Sequence, residues 1–208
     1  MDEIPRFFDY GEKEIDYLKN ADAKLGNAIL KIGKISRVVD PDCFSSLVRS
    51  IIGQQISTRA QLTIWERMKW GVGAITPENI DRLSEEEIQK FGVSFRKASY
   101  IKSAASKICS GELDFEALHH LSDEEVIKEL LKLKGVGVWT AEMLMIFSMQ
   151  RPDVISFGDL AIRRGMCMLY GFDAIDKTTF EVYRKLYSPY ASVASLYIWA
   201  IAGGALTD

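Results

Sequence analysis

Apolar residues recur at helical spacing along nearly the whole chain, and this periodicity is the feature that most constrains the fold. In residues 122–149, Val126 and Leu130 lie on one helical face before a glycine-rich break, and Ala141 and Leu144 resume the period after it. No stretch alternates apolar and polar residues with period two. The sequence therefore predicts an all-α fold of about ten helices, with no internal repeat and no low-complexity linker.

The glycine-rich break at residues 135–137 predicts a tight hairpin between two helices. Ser122 and Glu125 are spaced as a capping box at the start of the first helix, so the two helices and their hairpin cover about 122–149. Glycines permit positive φ and the close approach of another molecule, and amides at the start of the second helix favour an anion such as phosphate. A dinucleotide site is excluded because the third glycine is missing and a helix precedes the turn. The glycine motif alone is equally consistent with an ordinary turn between packed helices.

Length and composition place the chain among soluble globular proteins. Its 208 residues suit one domain or two small ones, and 48% of them are hydrophobic and 26% charged. No apolar run is long enough to span a membrane, and the acidic start lacks the basic residues of a secretory signal. We therefore expect a cytoplasmic protein that makes no contact with membranes.

Capping residues and breaks in the pattern predict the remaining boundaries. Residues 1–16 show no clear period and are interpreted as an N-terminal arm, and the next helix extends from Ile15 to Ile32. Asp40 is expected to cap the following helix, with Pro41 at its first position. Further helix starts are predicted at Ser57, Thr76, Ser84 and Asp176. Cys43, Cys109 and Cys167 are interpreted as buried free thiols.

Three local features of the sequence each allow two interpretations. Gln54 and Gln55 are adjacent in a short link between apolar helices. The link is either a solvated turn or a segment with a functional role. The helix after Arg96 carries a basic face that includes Lys97, either solvated or in contact with phosphate. Asp159 directly precedes an apolar helical segment, so it is a good N-cap even without a chemical role.

Two segments carry a resemblance to a known family. The segment GVGVWTAEM at residues 135–143, followed by VISFGDLAIRRG at residues 154–165, resembles the helix-hairpin-helix DNA glycosylases. Within that superfamily the chain is most similar to the DNA-3-methyladenine glycosylase II branch, from about Tyr17 to Trp199. The resemblance implies one glycosylase unit over residues 1–208, formed by two interleaved helical subdomains with a base pocket in the cleft between them. It also implies that the extra N-terminal mixed domain of some members is absent.

The resemblance assigns expected roles to individual residues around that pocket. Asp159 occupies the place of the catalytic carboxylate, which stabilises the positive charge that develops on the deoxyribose. Trp139 and Tyr190 match aromatic residues of the base pocket, and Met143, one helical turn after Trp139, is expected to line it as well. Gln55 falls where the family places a side chain that fills the gap left by an extruded base.

Further expectations from the resemblance concern the DNA backbone and bound ions. Contacts with DNA phosphates are expected at Gly135, Gly137, Thr140 and Lys97. A structural Na⁺ or K⁺ is expected at the hairpin, held by the backbone carbonyls of Leu131, Leu133 and Val136. No cofactor is expected for catalysis, and no iron–sulfur cluster, because no four-cysteine set follows the segment that matches the family.

Trp139 also bears on the reaction and the substrate. In glycosylases that also cleave the strand, the equivalent position is a lysine that forms a Schiff base with the sugar, and tryptophan has no such amine. We therefore expect a monofunctional hydrolase acting on double-stranded DNA. Alkylated purines of the 3-methyladenine type are electron-poor and suit an indole face. The alternatives are a non-catalytic helix-hairpin-helix module that binds DNA and, less consistent with the motif, a plain helical interaction protein.

The charge balance predicts modest affinity for DNA. The net charge is −3, and the first 20 residues contain six acidic and three basic residues, so the rest of the chain is neutral overall. Local potential rather than total charge governs phosphate contact. We expect binding that weakens quickly with salt, by a protein that is monomeric.

Overall fold

The structure is a computed structural model that describes residues 5–206. In that part, the chain forms thirteen α-helices and one two-stranded sheet, which confirms the predicted all-α fold. The elements are β1 (Arg6–Phe7), α1 (Glu12–Ala21), α2 (Ala23–Ile32), β2 (Val38–Val39), α3 (Cys43–Gly53), α4 (Thr58–Val72), α5 (Pro77–Asp81), α6 (Glu85–Gln89), α7 (Phe95–Cys109), α8 (Phe115–Leu118), α9 (Asp123–Leu130), α10 (Val138–Phe147), α11 (Leu160–Tyr170), α12 (Lys177–Tyr187) and α13 (Ala191–Ala202). None of the described helices has both the length and the apolar character that crossing a membrane requires.

The chain divides into two compact units. The first contains Met1–Val39 and Met145–Asp208, and the second contains Asp40–Leu144. The first unit therefore holds the sheet with α1, α2 and α11–α13, and the second holds α3–α9 with most of α10.

Helix α13 forms the centre of the first unit and packs against α11, α2, α12 and α1. A Cβ at Gly165 of α11 would overlap the carbonyl of Ile198, so this glycine allows the two helix backbones to approach closely. The hydroxyl of Ser192 on α13 is fully buried and accepts a hydrogen bond from the Val154 amide at 2.9 Å. These contacts fix the segment that leads into α11.

The N-terminal region differs from its prediction. The arm expected over residues 1–16 instead contains β1, in which Arg6 pairs antiparallel with Val39 of β2, and α1 already begins at Glu12. Residues 1–4 of that arm lie outside the described part. The single helix expected from Ile15 to Ile32 is broken at Asp22, whose carboxylate accepts a hydrogen bond from the Leu25 amide at 2.6 Å and caps α2. Strands β1 and β2 were not predicted because two residues are too few to show an alternating pattern of apolar and polar side chains.

Helix α7 forms the centre of the second unit and packs against α5, α6 and α3. Two of its basic residues, which lie in a run without acidic residues, form ion pairs in the structure. Lys102 pairs with Asp81 at 2.9 Å, and Lys107 pairs with Glu112 at 2.7 Å. Much of the basic face predicted for this helix is therefore neutralised by acids from other segments.

The prediction of buried thiols holds for one cysteine of three. Cys43 is buried, and this burial, together with the nearby Asp42 and Glu116, raises the pKa of its thiol to about 11. Cys109 is exposed at the end of α7, and Cys167 is half-buried on α11. The burial of Cys109 and Cys167 was predicted wrongly because apolar neighbours in the sequence do not indicate which face of a helix a residue occupies.

Most predicted caps are confirmed, but the cap of α3 was placed two residues early. The side chain of Asp42, not Asp40, accepts a hydrogen bond from the Ser45 amide, at 2.9 Å, and the helix begins at Cys43. Asp40 instead accepts from the Asp42 amide at 3.1 Å. Aspartates on both sides of Pro41 can each end a turn, so the sequence does not distinguish them.

Replacing Asp42 by alanine tests this assignment. Loss of the N-cap should lower the free energy of unfolding by about 1 kcal/mol. Asp40→Ala should change it by less than about 0.5 kcal/mol, because its hydrogen bond is exposed and outside the helix. Urea denaturation followed by circular dichroism measures both. A larger loss in Asp40→Ala than in Asp42→Ala would contradict the assignment.

Candidate functional site

The predicted hairpin lies between α9 and α10. Helix α9 ends at Leu130, the Val136 amide donates to the Leu133 carbonyl at 3.2 Å, and α10 begins at Val138. The first hydrogen bond within α10 runs from the Ala141 amide to the Gly137 carbonyl, at 3.0 Å. Amides that precede it in the first turn point out of the helix, where they and the helix dipole favour an anion.

The two hairpin glycines differ in backbone conformation and in the space around them. Gly135 has φ +81°, and a Cβ there would overlap the ring of Tyr100. Gly137 has no positive φ, and a Cβ on it would meet no other atom within 4 Å. Gly135 is therefore required by the fold, whereas Gly137 leaves open space beside the backbone for another molecule.

The link between α3 and α4 contains the two adjacent glutamines. Gln55 is exposed and has φ +57°, a left-handed conformation that is uncommon outside glycine. Gln54 is partly buried, and its side-chain Nε2 donates to the Gly135 carbonyl at 2.8 Å. The solvated-turn interpretation therefore fails for Gln54. Its contact with the hairpin was missed from the sequence, where only the unusual glutamine pair marked the position.

Lys97 lies inside the same unit and bonds to the end of α3. Its ammonium donates to the carbonyls of Ile52 at 2.8 Å and Gln54 at 2.6 Å, so two of its three N–H groups are used within the protein. Partial burial, followed by the neighbouring Arg96, lowers the pKa of Lys97. The contact between Lys97 and a DNA phosphate stays a prediction. The third N–H group of the ammonium could make it.

Helix α10 carries three of the predicted site residues. Trp139 is 45% exposed and Met143 is half-buried, but Thr140 is only 4% exposed. A side-chain contact between Thr140 and DNA is therefore inconsistent with its burial. The predicted contact between Thr140 and the DNA backbone would therefore be made by its backbone amide, in the first turn of α10.

The predicted ion ligands lie in the irregular turn before the hairpin. Leu131 is the C-cap residue of α9, and Leu133 and Val136 follow within the turn. Of these carbonyls, that of Leu133 accepts the amide of Val136 at 3.2 Å. Neutral carbonyl oxygens released from helical bonding suit an alkali cation, so the donor chemistry fits Na⁺ or K⁺.

Asp159 is the N-cap residue of α11. Its Oδ1 accepts hydrogen bonds from the amides of Ala161 at 2.8 Å and Ile162 at 3.0 Å, and the side chain is half-buried. The capping interpretation is therefore confirmed. Capping also fixes the orientation of the carboxylate, so it is compatible with the predicted catalytic role.

Tyr190 is the N-cap residue of α13 and is held by neighbours that the sequence did not indicate. The ring of Tyr17 packs edge-on against it at 5.2 Å, and the Tyr17 hydroxyl donates to the Ser188 carbonyl. The Lys13 ammonium lies 5.9 Å from the centre of the Tyr190 ring. Asp153 accepts hydrogen bonds from the Ser188 hydroxyl at 2.5 Å and the Ala191 amide at 3.2 Å.

The predicted residues are divided between the two units. Asp159 and Tyr190 belong to the first unit, and Trp139, Met143 and the phosphate-binding candidates belong to the second. Within the second unit, the structure brings the glutamine link, Lys97 and the hairpin together.

A family model matches residues 48–191, which is more than half of the chain. It describes the HhH-GPD superfamily of base excision DNA repair proteins. The protein belongs to this superfamily. The resemblance predicted from the hairpin and from the segment around Asp159 is thereby confirmed.

Similar proteins within the superfamily include two with solved structures. The crystal structure of a DNA-3-methyladenine glycosidase from Bacillus halodurans aligns with a TM-score of 0.86 and 38% identity, covering 95% of this chain and 93% of that one. The Schizosaccharomyces pombe 3-methyladenine DNA glycosylase, solved in complex with abasic DNA, aligns with a TM-score of 0.76 and 30% identity, covering 90% of this chain and 95% of that one. A Bacillus subtilis (strain 168) protein whose name places it among DNA-3-methyladenine glycosylases is 30% identical over 173 residues, covering 78% of this chain, and the chain spans 60% of its length.

Alanine substitutions at the two hairpin glycines test their different roles. Gly135→Ala should lower the free energy of unfolding by about 2 kcal/mol, because alanine is strained at positive φ and its Cβ would displace Tyr100. Gly137→Ala should cost less than about 1 kcal/mol. Chemical denaturation of both variants measures the difference. Equal destabilisation by the two substitutions would contradict this account of the hairpin.

Proposed function

We propose that the protein is a monofunctional DNA glycosylase that removes alkylated purines of the 3-methyladenine type from double-stranded DNA. The observation that carries the proposal is the position of Asp159, whose carboxylate is oriented by two backbone amides and remains partly exposed. Membership of a base excision repair superfamily supports it, as do relatives named for 3-methyladenine.

Asp159 acts on the sugar. Breaking the N-glycosidic bond leaves positive charge on the deoxyribose, and a fixed carboxylate stabilises that charge as it develops. The same carboxylate orients the water that attacks the sugar, or accepts its proton. Because the amides of Ala161 and Ile162 hold Oδ1 in place, little reorganisation accompanies the reaction.

Trp139 stacks on the extruded base. A purine methylated at N3 carries a formal positive charge, and its stacking on an aromatic face gains roughly 0.5–2 kcal/mol. The side chain of Trp139 is 45% exposed. Alkylation already weakens the glycosidic bond, so the leaving base requires little activation.

The hairpin binds the DNA backbone beside the lesion. Outward-pointing amides at the start of α10 and the open space at Gly137 suit a phosphate group. A Na⁺ or K⁺ held by the carbonyls of Leu131, Leu133 and Val136 would add positive charge at this surface. The S. pombe relative solved with abasic DNA supports DNA as the partner.

The strand stays intact in this reaction. Trp139 offers no amine for a Schiff base, and Lys134 is exposed in the turn before the hairpin. The product is therefore an abasic site that breaks only on later treatment with alkali or heat.

Asp159→Asn separates catalysis from helix capping. Asparagine caps a helix about as well as aspartate, so the free energy of unfolding should change by less than about 0.5 kcal/mol. The lost carboxylate charge should lower the rate of base release by at least about 100-fold. Single-turnover release of 3-methyladenine from methylated DNA, measured by chromatography, gives the rate.

Three controls make the assay decisive. Asp159→Ala should lose both the activity and about 1 kcal/mol of stability. Half of each reaction is left untreated and half is heated with alkali, and nicks in the untreated half would contradict a monofunctional enzyme. DNA binding by the wild type without base release would favour a non-catalytic module, for which the capping role of Asp159 would be sufficient.

A further inference from the structure

The segment that carries Gln55 is held from two sides. We call residues 54–57, the link between α3 and α4, the wedge loop, because Gln55 is the residue expected to fill the gap left by the extruded base. Gln55 adopts φ +57°, which costs about 1–2 kcal/mol for a residue with a Cβ. Such a conformation persists only when neighbouring contacts hold it in place.

On one side, side chains satisfy the carbonyls at the end of α3. Gln61 donates to the Arg49 carbonyl at 2.9 Å, and Lys97 donates to the Ile52 carbonyl at 2.8 Å. A cation at a helix C-terminus also complements the helix dipole. The same ammonium of Lys97 reaches beyond the helix to the Gln54 carbonyl at 2.6 Å, directly before Gln55.

On the other side, the wedge loop is tied to the hairpin. The side chain of Gln54 donates to the carbonyl of Gly135, which itself has positive φ. The backbone of Gln54 is thus held by Lys97 and its side chain by the hairpin. Both bonds are partly buried, which protects them from competition with water.

Given that the protein excises bases as proposed above, we propose that Lys97 and Gln54 are positioning residues that hold Gln55 in a preformed conformation for insertion into the DNA duplex. Through Gln54, that conformation is also tied to the hairpin that binds phosphate. A preformed side chain loses less conformational freedom when it inserts. The cost of extruding a paired base is a few kcal/mol, so this contribution matters most where a base pair must be opened.

The test compares one lesion in two duplexes. A labelled strand with one adenine among pyrimidines is methylated in a duplex, then re-annealed to a complement that carries either thymine or a tetrahydrofuran abasic analogue opposite the lesion. Lys97→Met keeps the apolar stem of the side chain and removes the ammonium. Lys107→Met is the matched control, because its ammonium lies on the same helix and pairs with the exposed Glu112.

Lys97→Met and Gln55→Ala should each lower the single-turnover rate opposite thymine by about tenfold or more, a loss of about 1.4 kcal/mol. Opposite the abasic analogue, both rates should stay within about threefold of wild type when the enzyme concentration saturates the DNA, because a lost phosphate contact then does not limit the rate. The double variant should be no slower than the slower single variant, because both changes act through one side chain. Lys107→Met should leave both rates unchanged.

Equal losses on the two duplexes, additive losses in the double variant or no loss in Lys97→Met would each overturn the proposal. Gln54→Ala, which removes the bond to the hairpin, must show the same selective loss, and it serves as the test if Lys97→Met fails to fold. Absence of base release by the wild type on either duplex would instead reject the glycosylase function itself, together with this role.

Discussion

The interaction between the Asp159 carboxylate and the N-terminal amides of α11 is the constraint on which this account depends. Helix α11 packs tightly against the buried α13, aided by Gly165, so the amides of Ala161 and Ile162 are fixed by the core of the first unit. A carboxylate bound to fixed amides has one orientation. Stability and the proposed chemistry therefore require the same geometry, so the capping role of Asp159 is compatible with the proposed stabilisation of positive charge on the sugar.

In the second unit, hydrogen bonds join segments that are far apart in the sequence. Gln54 bonds to the hairpin, and Lys97 bonds to the end of α3 and to Gln54. Gln55 and Gly135, the two residues with positive φ in this region, are thus connected through one side chain. The hairpin that we propose to bind phosphate and the residue expected to replace the extruded base are therefore joined by hydrogen bonds within one unit.

Much of the fold could be predicted from the sequence because the relevant interactions are local. The capping boxes at Ser84 and Ser122 involve residues three apart, and their patterns are read directly. The partners of Lys97 lie 43 and 45 residues away, so its inward orientation leaves no local signal. The pairing of Arg6 with Val39 was missed for the same reason, since strands of two residues show no period. The candidate site residues came from the family resemblance, whereas their contacts came only from the structure.

The most direct test of the central claim uses a stable mimic of the charged sugar. The dissociation constant is measured for duplexes that carry a cationic pyrrolidine or a neutral tetrahydrofuran in place of the lesion sugar. If Asp159 stabilises positive charge on the deoxyribose, wild type binds the cationic duplex at least about tenfold more tightly, and Asp159→Asn loses that preference. An equal preference in the two proteins would contradict the catalytic role of Asp159.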